Sequence, residues 1–95
     1  MEKGTKSKSL DNSKVKISED EYCSLILFND DINSFDFVVK SLIEVCNHNP
    51  IQAEQCTFIA HHKGKCNIKN GTYSYLLPLK DQLDQRGLTS TISLS

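Results

Sequence analysis

The longest uninterrupted apolar run in this chain, Leu25-Ile26-Leu27-Phe28, ends abruptly at three polar residues, Asn29-Asp30-Asp31. With Tyr22-Cys23-Ser24 before it, the run has the aromatic and β-branched character of a strand. Its unbroken second half predicts burial on both faces near the strand's end. Asn and Asp readily bond their own backbone in turns, so a stop is expected at residues 29–31. A buried strand must be covered, and the chain has only 95 residues with which to cover it. One small domain with one modest core is the expectation, and a cleft between two lobes is excluded.

The cover is legible in the helical periodicity that follows. Asn33 or Ser34 is placed to cap a helix, with Asp36 in its first turn. Phe35, Val38, Leu42 and Val45 recur at helical spacing, and Val39 and Cys46 widen the same face. Asn47-His48-Asn49 breaks this helix. Asn49 then caps a second one, with Pro50 in the first position, Gln52 completing a capping box, and Gly64 as the stop after His61-His62. Lys65 to Lys69 alternates like a short half-exposed strand, and Asn70-Gly71 is expected to turn the chain. Thr72 begins a third helical segment. Its regular part is expected nearer Tyr75, because Pro78 has no N–H for the Ser74 carbonyl. Leu76, Leu79 and Leu83 form its buried face. Leu88, Ser90, Ile92 and Leu94 alternate with polar residues as a last strand. The predicted fold is α+β, a small β-α-α-β-α-β domain whose three-stranded sheet carries its helices on one face.

Residues 1–21 are expected to be a disordered extension and residues 22–95 the core domain. The stretch 1–18 holds five lysines against Glu2 and Asp11 and has few large apolar side chains. Such a composition buries too little surface to offset its ordering entropy. Over the whole chain, eleven Lys and Arg against twelve Asp and Glu leave a formal charge of −1. That excludes nucleic-acid binding through a strong basic field. No apolar run approaches the ~18–20 residues of a membrane span, and no apolar signal segment opens the chain. A soluble, cytoplasmic protein is expected.

Cys23, Cys46, Cys56 and Cys66 show no C-x-x-C spacing, and each lies in or beside apolar sequence, so buried free thiols are expected. Cys56, His61, His62 and Cys66 are a zinc donor set by type, but they lack the paired short spacings of a zinc knuckle. No metal and no cofactor is expected. Nucleophile motifs, P-loops and dinucleotide fingerprints are absent. Asp30 and Asp31 are adjacent and point apart, which suits neither a paired-carboxylate catalyst nor a Mg²⁺ site. The chain is therefore read as a binding protein rather than an enzyme.

Two readings of the polar clusters stay open at this level. Asn29-Asp30-Asp31 serves equally as a turn and helix-cap cluster, and His61-His62 serves as a partner for a helix dipole. Brought together, Asn29, Asp30 and a histidine supply an amide oxygen, a carboxylate and a neutral imidazole nitrogen, all acceptors. Three acceptors match the three N–H bonds of an ammonium group. Ile32, Phe35, Val38, Thr57 and Ala60 are apolar or small enough to line a hole beside them. A cation cage next to an apolar hole suits a free amino terminus with a hydrophobic side chain.

At these residues the chain resembles a known family. Leu25 to Asp31, then Phe37-Val38, then Ala60-His61-His62-Lys63-Gly64-Lys65, in that order, look like ClpS, the adaptor of the Clp protease. The resemblance spans about Tyr22 to Ile92. It implies binding of proteins whose N-terminal residue is large and hydrophobic (N-degrons) and their delivery to a Clp AAA+ unfoldase. It implies that Asn29, Asp30 and His61 hold the substrate's α-amino group, with Asp31 as the neighbouring acid. Phe35 and Thr57 stand where many members carry methionine at the pocket rim. Val38 and Ala60 match the aliphatic wall, and Leu88 its far side. Lys80 matches a lysine that many members use to dock on the unfoldase, whereas Tyr75 stands where those members carry a glutamate. The implied partners are the N-terminal domain of a ClpA- or ClpC-type unfoldase and N-degron proteins, bound by a monomer. An interaction module that docks on the unfoldase without N-degron selectivity is the alternative.

Overall fold

The computed structural model describes residues 17–95. Of the expected extension, residues 1–16 lie outside the described residues. Residues 17–21 join the fold, because Ile17 packs against the core and the carbonyls of Glu19 and Glu21 accept from Ser74 and Tyr73 N–H at 3.0 Å each. These bonds satisfy donors at a helix N-terminus that otherwise have no partner.

The elements run β1 (Tyr22–Phe28), α1 (Phe35–Cys46), α2 (Pro50–Lys63), β2 (Lys65–Thr72), α3 (Tyr73–Gln85) and β3 (Ser90–Leu94). The sheet is antiparallel in the order β2-β1-β3. Its central strand turns Cys23, Leu25 and Leu27 towards the helices, where they meet Leu42, Leu76 and Leu83 in one core. The other face of β1 differs from the expected double burial. Ser24 there donates to the Asn70 side-chain oxygen at 2.8 Å and accepts from Asn67 at 3.2 Å. Polar side chains cover that face, so Ile26 and Phe28 are only half-buried.

Capping follows local chemistry. Ser34 takes the α1 cap by accepting from Phe37 N–H at 3.1 Å, and Asn49 takes the α2 cap by accepting from Gln52 N–H at 2.8 Å. Gly64 closes α2 in the left-handed region, φ 94°. Two expectations fail in the second half. β2 does not turn at Asn70-Gly71 but continues to Thr72, because these residues pair with Ser24 and Cys23. Gly71 serves space instead: a Cβ there would lie 2.6 Å from Cδ2 of the Tyr75 ring. α3 is helical from Tyr73 despite Pro78, its first turn being held by Thr72 and by residues 19–21.

A register slip between Leu25 and Ile26 leaves Ile68 without an opposite residue on β1. The Ile68 carbonyl accepts from Nε2 of buried His48 at 2.7 Å. That places the proton on Nε2 and leaves the His48 Nδ1 lone pair buried without a partner. Desolvation lowers the His48 pKa from its ordinary 6.5. The cysteines are all free. Three are buried and Cys56 is half-buried. Burial pushes the Cys46 thiol up to about 11 and the Cys66 thiol, beside Cys56, up to about 12.

Candidate binding site

β1 delivers Asn29-Asp30-Asp31 to the end of the sheet where α2 finishes. The Asn29 N–H donates to the Gly64 carbonyl at 2.8 Å, which ties the end of β1 to the turn that follows His61. A cavity of about 280 Å³ opens at this junction. Its polar side holds Asn29, Asp30, Asp31 and His61. Phe35, Val38, Thr57, Ala60 and Leu88 form the apolar side. Nine of the sequence-derived candidates thus converge on one hollow. Its volume falls below the roughly 300–1,000 Å³ of drug-sized pockets and suits a single residue.

The Asp30 carboxylate is fixed by its own turn. One oxygen accepts from Ile32 N–H at 2.7 Å and from Asn33 N–H at 3.2 Å, and the other accepts from the Asn33 side-chain amide. The Asn33 side chain, followed by these backbone donors, lowers the Asp30 pKa below its ordinary value. The group is therefore a carboxylate at neutral pH. A carboxylate offers about four acceptor positions. Three are taken internally, and one is left for a ligand donor.

The apolar wall is assembled from α1, α2 and the segment between α3 and β3. Small residues on the inner face of α2, Ala53, Thr57 and Ala60, let that helix approach closely. Thr57 donates its hydroxyl back to the Ala53 carbonyl at 2.8 Å, a bond that satisfies its polar atom inside the helix. Leu88 reaches the far side after Gly87, whose φ of 84° favours glycine.

The expected role of Ile32 in this hollow is corrected. Ile32 is 93% exposed, because the Asp30 turn captures its N–H and swings the side chain into solvent. Tyr75 and Lys80 lie on α3 and do not line the cavity. Tyr75 is half-exposed, and Lys80 pairs with Asp84 one turn on at 2.7 Å. Leu27, Phe28 and Asn33 line the cavity and were not among the expected site residues. Of these, only Asn33 left a trace in the sequence, as an amide three residues after an aspartate that opens a turn.

Residues 18–91 match the family described as ATP-dependent Clp protease adaptor protein ClpS. The chain belongs to the ClpS family. A ClpS adapter of Campylobacter jejuni is 35% identical over 57 residues, covering 58% of this chain and 59% of that protein. One from Clostridium acetobutylicum is 39% identical over 51 residues, covering 54% of this chain and 50% of that protein. The chain thus matches between half and three-fifths of the length of these relatives. Among solved structures, ClpS2 of Agrobacterium tumefaciens bound to L-phenylalaninamide superposes with a TM-score of 0.68 at 18% identity, covering 80% of this chain and 99% of that one. That likeness establishes the ClpS fold for this chain. Among the described residues, no helix is long and apolar enough to cross a membrane.

Proposed function

We propose that this chain is an adaptor that binds proteins bearing a large hydrophobic N-terminal residue and delivers them to a Clp AAA+ unfoldase in the cytoplasm. One observation carries the reading. A carboxylate with a free acceptor position, an amide and an imidazole share a single-residue hollow with an apolar wall. The ammonium group of a peptide has three N–H donors, and Asn29, Asp30 and His61 offer one acceptor each. Its side chain then enters the space between Phe35, Val38, Thr57, Ala60 and Leu88. L-phenylalaninamide, the ligand of the Agrobacterium structure, is a phenylalanine with a free amine and an amide in place of its carboxylate. That is the chemistry of a peptide beginning with Phe.

No step of this function breaks a bond, so the chain is read as a binding protein and not as the peptidase. The unfoldase, of ClpA or ClpC type, is proposed to dock through its N-terminal domain on α3 at Tyr75 and Lys80, away from the cavity. A monomer suffices for both contacts.

Hydrogen bonds to a charged group contribute about 1.5–3 kcal/mol each. Acetylating the amine removes the charge and leaves the Asp30 carboxylate unpaired, so affinity should fall by about a hundredfold or more. The test is a fluorescence titration of a Leu- or Phe-initiated peptide against its acetylated twin. Superimposable curves would reject the reading.

A further inference from the structure

On α2 the usual division of a surface helix is inverted. Its core-facing residues are small, while Ile51, Phe58 and Ile59 are exposed, Ile51 at 69% and Phe58 at 55%. These three and Phe35 line an open groove of about 450 Å³. Contiguous exposed apolar surface of this kind marks a surface that is covered in use. Phe35 is also a wall of the binding cavity, so groove and cavity form one continuous surface. A row of rings joins them along α2: His61 meets His62 at 5.2 Å between centroids, and His62 meets Phe58 at 4.1 Å.

We propose that the groove receives the side chain of the third residue of an N-degron peptide, so that the chain selects for large apolar side chains at positions one and three. This rests on the N-degron reading above. An extended peptide advances ~3.3 Å per residue and alternates its side chains between two faces. With the first side chain in the cavity, the second points to solvent. The third returns to the protein surface about 7 Å further on. Phe35 lines both the cavity and the groove, so a peptide that leaves the cavity past Phe35 meets the groove with its third side chain. Glu54 lines the same groove and opposes an acidic third residue.

The experiment compares two labelled peptides, one beginning Leu-Ala-Leu and one Leu-Ala-Ser, with their acetylated forms as controls. Ile51 and Phe58 are exposed, so the I51S/F58S double variant removes the groove without opening the core. The third-position leucine should improve affinity about tenfold in the unaltered chain. The double variant should reduce that gain below about twofold and bind Leu-Ala-Ser as before. Equal affinities in the unaltered chain, or a gain that survives in the variant, overturn the proposal while free-amine selectivity stands. If neither free peptide binds, the N-degron reading falls and this one with it. A dimer that sediments in the unaltered chain and dissociates in the variant assigns the groove to a second copy, and overturns the proposal too.

Discussion

The Asn33 side-chain amide donates to the Asp30 carboxylate, and the same nitrogen donates to the Gly87 carbonyl at 3.1 Å. One side chain therefore fixes the Asp30 carboxylate and fastens its turn to the segment that carries Leu88. The polar and apolar halves of the cavity are held in register through this amide.

Asn33→Ala should weaken binding of a Leu-initiated peptide by about tenfold, the cost of one hydrogen bond to a charged group. A purely structural loss would leave the acid limb of the binding curve in place. Losing the bond that most lowers the Asp30 pKa should move that limb upward towards the ordinary 3.8. Asn33→Asp, with a second carboxylate beside the first, should move it further. Peptide titrations from pH 3 to 7 check both variants.

Asp30 and Asp31 both line the cavity, but only Asp30 has its oxygens oriented by three donors. Asp30→Ala should cost about a hundredfold in affinity or more, since a buried ammonium is left short of an acceptor. Asp31→Ala should cost no more than a few-fold. Equal losses in a fluorescence titration would mean that the cage is built on a different carboxylate.

Local chemistry explains which parts of this fold were readable in advance. β1, α1 and α2 follow from strand propensity, an apolar period and caps at Ser34, Asn49 and Gly64, all decided within a few residues. The acceptor chemistry of Asn29, Asp30 and a histidine was legible in the residues, whereas the choice of His61 came from the family resemblance, and the cavity lining brings these three together. What escaped is set by distant partners. Asn33 reads as a helix cap until Gly87, 54 residues later, claims its amide. Asn70-Gly71 reads as a turn until pairing with β1 and the ring of Tyr75 show it to be a strand that needs a missing side chain. Ile32 reads as pocket lining until the Asp30 turn captures its backbone.

Gly71→Ala tests that close approach. A Cβ would stand 2.6 Å from the Tyr75 ring, which must swing aside. The ring is half-exposed and free to move, so the stability cost should stay near 1 kcal/mol, the scale of an off-rotamer side chain. Peptide affinity should be unchanged, because Tyr75 does not line the cavity. If Tyr75 belongs to the unfoldase contact, the same variant should weaken docking, measurable by pull-down with an isolated unfoldase N-terminal domain.

His48 should make the fold acid-sensitive well above the carboxylate range. Its buried neutral ring donates from Nε2 to Ile68, and burial lowers its pKa from 6.5. Above pH 6.5 both folded and unfolded chains hold this ring neutral, and its contribution to stability does not change with pH. Below 6.5 the unfolded chain takes up a proton that the folded chain resists, so stability falls as pH falls until the folded ring also protonates. Urea unfolding midpoints should therefore drop between pH 7 and pH 5. His48→Gln retains a side-chain N–H for the Ile68 carbonyl but cannot protonate. Its midpoint should be lower than that of the unaltered chain at pH 7, because a flexible amide fills the site less well. The difference should narrow towards pH 5. Parallel pH profiles for the two proteins would place the acid sensitivity elsewhere.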